Sequence, residues 1–125
     1  MEWIPYLLLA GFAVFMASRL LPVKGLRNLK PDDLKELLKR PQGHLFIDVR
    51  EPFEYKRGHI KGFQNIPLSQ LKVRINELDP QTPLVLTCQS GMRSRQAAKL
   101  LAKQGFTNIS HLQTGMSGWN GSVTK

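Results

Sequence analysis

One short segment of this chain gathers residues able to do covalent chemistry: Cys88-Gln89-Ser90-Gly91-Met92-Arg93-Ser94. The thiolate is the nucleophilic form of cysteine. A tight loop that leads into a helix N-terminus points backbone N–H groups inward and favours such an anion. Gly91 allows the positive φ that this kind of loop often needs. Arg93 adds a positive charge that can steer an anionic donor. A lone cysteine is usually a small buried hydrophobe, but the neighbours here are polar and glycine-containing rather than core-like. The chain contains one cysteine in 125 residues, so it forms no internal disulfide and points to no oxidising compartment.

The loop has chemistry only if elements on either side hold it. Leu84–Thr87 reads as a buried strand that runs straight into Cys88, and Ser94–Gln104 reads as a helix packed through Ala97, Ala98, Leu100 and Leu101, with Gly105 closing it. In open α/β sheets ligands bind beyond the carboxyl ends of strands, which is where Cys88 falls. Further strands are expected at Leu26–Leu29, His44–Val49, Phe63–Ile66 and Ile109–Leu112. Pro31 opens a helix with Asp32 and Asp33 in its first turn and Leu34, Leu37 and Leu38 on one face. Leu68, Leu71, Ile75 and Leu78 fall at helical spacing. Strands alternating with helices predict a parallel sheet with helices on both faces.

The chain opens differently. Trp3–Ser18 carries no charge, and Arg19 can extend to the headgroups and lengthen the apolar run to Leu21. A spanning helix takes about 20 residues, about 17 at the lower end. Trp3 and Tyr6 suit an interfacial belt, and Pro5 sits in the first turn. A cleaved signal peptide or a buried helix are the rivals, but the positive leading region of a secretory signal is missing. The expectation is a transmembrane anchor over residues 1–23, spanning 3–21, followed by one domain over 24–125. Arg19, Lys24, Arg27 and Lys30 follow the run, which places that domain on the cytoplasmic side of the inner membrane in a single-pass topology.

Composition narrows the classes. Apolar residues are 42% and charged residues 22%, ordinary for a globular domain and not for a disordered one. The net charge of +9 is scattered rather than blocked. That reads as a solvated basic surface, or as attraction to an anionic membrane face or small anionic substrates. No nucleic-acid motif is visible. His44, His59 and His111 show no ligand spacing with Cys88, so no metal is expected.

Cys-x-x-Gly-x-Arg-Ser after a buried strand resembles the active-site loop of rhodanese domains. Ile47-Asp48-Val49-Arg50, with Glu51 and Glu54 following, is similar to that family's Asp-Val-Arg signature. Gly58-His59-Ile60-Lys61-Gly62 with Asn65-Ile66-Pro67-Leu68 is similar to its Gly-His-Ile…Asn-Ile-Pro motif, and Gly115-Met116-Ser117-Gly118-Trp119 fits its closing segment. The likeness covers nearly all of residues 25–120 and is strongest to single-domain, membrane-anchored bacterial sulfurtransferases. It implies a ping-pong cycle without cofactor or metal. Cys88 takes the outer sulfur of a small donor such as thiosulfate as a persulfide, with residues 89–94 as the substrate-binding loop. Cyanide or an external thiol then removes the sulfur. Asp48 and Arg50 are expected to be mainly structural, and His59 to be a hydrogen-bonded structural histidine in preference to a base. Trp119 is expected to pack. Two departures stand out. Arg93 is the only basic residue between Cys88 and Ser94, and Phe63 stands where the family usually has a small residue. Two rival functions share the scaffold: a non-enzymatic binding or regulatory module, and a Cys-dependent phosphatase or arsenate reductase. The latter carry Cys-x5-Arg, whereas the spacing here is Cys-x4-Arg.

Overall fold

A computed structural model describes residues 2–20 and 23–125. The domain is built on five parallel strands: β1 (Arg27–Leu29), β2 (Leu45–Asp48), β3 (Gln64–Asn65), β4 (Leu84–Thr87) and β5 (Ile109–Leu112). Their order across the sheet is β1-β5-β4-β2-β3, so β4 lies at the centre. Parallel neighbours require crossovers, and helices α2 (Pro31–Lys39), α3 (Pro52–Arg57), α4 (Leu68–Arg74) and α5 (Met92–Lys103) lie between successive strands.

Alternation along each strand splits the core in two. Ile47, Leu84, Leu86 and Ile109 face one side, where Leu71 of α4 and Ala97, Ala98 and Leu101 of α5 cover them. Phe46, Val85 and Leu112 face the other, against Leu34 of α2, Ile60 and Phe63, with Trp119 packed at its edge. The expected helices on both faces are therefore present. Burying one such Leu stabilises the fold by roughly 2 kcal/mol. Phe63 uses its bulk here, its ring centroid 5.2 Å from that of Phe46.

The sequence-based boundaries shift in places. The expected strand at Phe63–Ile66 shrinks to Gln64–Asn65: the Phe63 N–H turns back to the Ile60 carbonyl, and Pro67, next after Ile66, has no N–H to continue the ladder. Helix α5 starts two residues earlier than predicted, directly after Gly91. Helix α3 is not among the elements expected from the sequence. It begins with Pro52 at its first position, and the Glu54 carboxylate accepts the Glu51 N–H at 3.0 Å.

A further helix, α1 (Ile4–Leu20), precedes the domain. Its residues from Ile4 to Ala17 are exposed on every side, although nearly all are apolar. The described residues do not show the expected span. Seventeen residues at about 1.5 Å rise give roughly 25 Å, short of a hydrocarbon core of about 30 Å. Among the described residues no helix is long and apolar enough to cross a membrane. Leu21 and Pro22, which were expected to complete the span and begin the linker, lie outside the described residues, as does the side chain of Arg19.

Candidate active site

Cys88 follows the last residue of β4, at the carboxyl edge of the sheet's central strand. Gly91 turns the chain at φ 93°, a left-handed conformation that an L side chain rarely adopts, and α5 starts at Met92. The turn folds the loop back over the sulfur. Gly91 N–H donates to Sγ at 3.0 Å and Ser94 N–H at 3.3 Å. Cys88 is wholly buried, yet two backbone donors aim at its sulfur, which is not how an inert core thiol is solvated. Gly91 and Ser94 are buried with it, while Gln89, Ser90 and Met92 are exposed and form the mouth.

A turn of 3-10 helix at Gly115–Gly118 supports the loop from behind. Met116 N–H donates to the Cys88 carbonyl at 2.8 Å and Ser117 N–H to the Gln89 carbonyl at 2.9 Å. A side chain at Gly115 would stand 2.6 Å from those backbones, so a glycine is required for the approach.

Arg93 does not present a free charge to the loop. Its guanidinium forks onto Glu54 of α3, at 2.7 and 2.9 Å. That contact holds the Glu54 carboxyl at about 2, well below its ordinary value, with the hydrogen bond to Arg93 as the main cause. The pair ties the start of α5 to the start of α3. The carboxyl's lowered value makes its contribution complete above its unfolded titration near 4.5 and removes it as pH falls toward about 2. We expect Glu54→Gln to lower stability by about 1–2 kcal/mol at pH 7, the pair being partly solvated. Unfolding of wild type and variant measured from pH 7 to pH 2 should show that gap closing at the acid end.

Asp48 and Arg50 form a buried ion pair at the end of β2. The carboxylate accepts from Arg50 Nη2 at 2.8 Å, from Nε at 3.0 Å and from the Arg50 backbone N–H at 3.0 Å. Arg50 also reaches the Gly58 carbonyl at 2.8 Å, and Asn65 Nδ2 donates to the Asp48 and Arg50 carbonyls at 3.0 and 2.8 Å. Buried charges need this degree of satisfaction. The pair pins the strand end to the segment after α3. His59 donates from Nδ1 to the Tyr55 carbonyl at 2.9 Å, and its ring stacks on Tyr55 at 3.6 Å. These contacts hold the ring against α3.

Two polar residues near the sulfur were missed in the sequence. His111 of β5 sits 2.7 Å from Ser94 Oγ through Nδ1, and its Nε2 lies 2.8 Å from Asn28 Oδ1 on β1. Burial, and secondarily the charge of Arg95, push its imidazole down to about 4, so it is neutral at physiological pH. The sequence offered one signal, a histidine inside an otherwise buried strand. Its partners depend on strand order, which residue spacing does not give.

A central parallel strand ending at a cysteine, a left-handed glycine three residues on, and a sulfur held by loop amides are now in place. The model of the rhodanese-like domain family matches residues 30–122. The chain belongs to the rhodanese-like domain family. This rhodanese-like chain is 39% identical over 118 residues to the uncharacterized protein YqhL of Bacillus subtilis, a match covering 94% of this chain and 91% of that one. It is 32% identical over 93 residues to the thiosulfate sulfurtransferase GlpE of Ectopseudomonas mendocina, covering 74% and 84%. Among solved structures, the rhodanese-related protein of Thermoplasma volcanium superposes with a TM-score of 0.70 at 32% identity, over 78% of this chain and 97% of that one. Sulfur transfer is thus supported at the level of the family. Among the described residues no group of His, Cys, Asp and Glu is arranged to hold a metal ion.

Proposed function

We propose that this rhodanese-like domain is a sulfurtransferase that carries a sulfane sulfur on Cys88. The observation that carries the reading is the pair of backbone N–H groups on Sγ, from Gly91 at 3.0 Å and Ser94 at 3.3 Å. They stabilise an anion on sulfur without any side-chain cation. The Cys88 thiolate attacks the outer sulfur of a donor such as thiosulfate. A new S–S bond forms, the donor's sulfur–sulfur bond breaks, and sulfite leaves with the bonding pair. Cyanide or an external thiolate then attacks the outer sulfur of the persulfide, and Cys88 leaves as the thiolate it began as. The chain has one cysteine, so the acceptor comes from outside it.

Phosphoryl or arsenate chemistry is not favoured on the same scaffold. The position that Cys-x5-Arg spacing would fill is Ser94, and the Arg93 guanidinium is spent on Glu54. A pure binding module has no use for a sulfur ringed by donors. Intact mass after incubation with thiosulfate tests the reading. A gain of one sulfur atom, reversed by a thiol, is expected. No gain on folded protein, across several sulfane donors, would sink it.

We further propose that α1 attaches the domain to the cytoplasmic face of the inner membrane. The supporting observation is a helix apolar on all its faces and exposed from Ile4 to Ala17, followed by Lys24, Arg27 and Lys30. Each basic group near an anionic surface adds about 1 kcal/mol. The full chain should pellet with membranes and resist high-salt washing, and protease should reach the domain only in inverted vesicles. Release by salt alone, or cleavage in intact cells, would overturn attachment or orientation respectively.

A further inference from the structure

The Cys88 sulfur ends a chain of hydrogen bonds that runs out to the protein surface. Ser94 Oγ lies 3.5 Å from Sγ, His111 Nδ1 lies 2.7 Å from that oxygen, and Asn28 Oδ1 lies 2.8 Å from His111 Nε2. Ser94 and His111 are wholly buried, while Asn28 is exposed. The sheet sets the last link, because Asn28 and His111 are register partners on β1 and β5.

The Ser94 hydroxyl has one proton and three acceptors within reach: Nδ1 at 2.7 Å, the Gly91 carbonyl at 3.1 Å and Sγ at 3.5 Å. A neutral imidazole likewise carries a single N–H. With that N–H on Nε2, it donates to Asn28 Oδ1. Nδ1 then accepts the Ser94 proton, and Ser94 turns a lone pair toward sulfur, which suits S–H. With the N–H on Nδ1, it donates to Ser94 Oγ, and Ser94 turns its own proton toward sulfur, which suits the thiolate. Nε2 is then an acceptor, and the exposed Asn28 amide can rotate to donate to it. The two arrangements match the two protonation states of the sulfur.

We propose that His111, acting through Ser94, is a tautomer switch that follows the ionisation of Cys88, with Asn28 as its outlet to water. The inference deepens the sulfur-transfer reading and rests on it for its role in turnover. On ionisation the thiol proton passes to Ser94 Oγ, the former Ser94 proton passes to Nδ1, and the Nε2 proton leaves to water beside Asn28. The balance is one thiol converted to one thiolate with one proton released, and the imidazole is neutral before and after. The surroundings agree. Arg95 of α5 is the charge that bears on the ring, Cys88 reaches it through Ser94, and its register partners Asn28 and Leu86 titrate not at all. Burial and Arg95 hold the imidazole near 4, so at neutral pH it passes a proton on without keeping it. Ser94 and His111 are positioning residues in this scheme.

The test uses the full-length 15N-labelled chain in detergent with no sulfur donor present. The ring nitrogen shifts of His111 report its tautomer, and the rate of Cys88 alkylation by iodoacetamide reports ionisation over the same pH range. We expect the Nε2–H form at the acid end, the Nδ1–H form once Cys88 ionises, and a common midpoint. Cys88→Ser should hold one tautomer throughout. Ser94→Ala should uncouple the ring from the sulfur and slow alkylation at neutral pH about three- to tenfold, through loss of one donor to the anion. A single tautomer in wild type, an imidazolium at neutral pH, or switching that survives Ser94→Ala would overturn the proposal. Should Ser94→Ala fail to fold, wild type and Cys88→Ser decide alone. No donor is used, so failure here leaves the persulfide mass gain standing, and absence of that gain leaves the tautomer result standing.

Discussion

Cys88→Ser is expected to reduce sulfur transfer by about a thousandfold or more, to the background of the uncatalysed reaction. A serine hydroxyl at this position meets the same amides that now reach the sulfur, from Gly91 at 3.0 Å and Ser94 at 3.3 Å. It is smaller, so the site loses some contact but gains no clash, and stability should change by about 1 kcal/mol or less. What it cannot do is ionise near neutral pH or hold a sulfane sulfur. With no second cysteine in the chain, nothing stands in for it. Thiocyanate formed from thiosulfate and cyanide is the readout, with thermal unfolding run beside it. Activity retained in a folded Cys88→Ser protein would mean that the sulfur never resides on this residue.

The form of the Cys88 loop was legible because its signals are local. Leu84–Thr87 is apolar up to its closing threonine, the cysteine follows at once, and a glycine stands three residues on, where the backbone takes φ 93°. Local signals fail where a partner is distant in sequence. Arg93 read as a charge awaiting an anion, but it belongs to Glu54, 39 residues earlier. Glu54 sits on α3, whose six residues are too few to show a helical period. Pro52 and Glu54 marked its start, although no apolar face followed to confirm it. Asn28 and His111 are 83 residues apart and meet only because β1 lies beside β5. Parallel sheets place chain neighbours apart and distant strands together, so alternation reveals the strands while their order stays hidden. At the N-terminus the reverse held. Composition announced an apolar helix, and a helix is present over Ile4–Leu20, but among the described residues it does not reach the length and apolarity of a membrane span.

Gly91→Ala is expected to be the most damaging exchange outside Cys88. Two costs fall on the same methyl group. The residue sits at φ 93°, where a side chain is strained by roughly 1–2 kcal/mol. The new Cβ would also overlap the Gln113 carbonyl oxygen, and that oxygen is backbone that cannot swing aside. The loop must therefore move, and with it the Gly91 N–H, now 3.0 Å from Sγ. Losing a donor of this kind to an anion costs catalysis about a hundredfold, and displacement of the whole turn also disturbs the Ser94 donor. We expect activity to fall at least that far, with stability lower by about 3 kcal/mol. Gly62→Ala and Gly105→Ala separate the two costs, since they stand at φ 100° and 95° with open space where the methyl group would go. Each should lose about 1–2 kcal/mol from strain alone and keep its activity within a few-fold. Persulfide loading and thiocyanate formation, measured on all three variants, decide the matter. Should Gly91→Ala work as well as Gly105→Ala, the donors of this loop do not hold the reacting sulfur, and the cradle proposed for Cys88 is wrong.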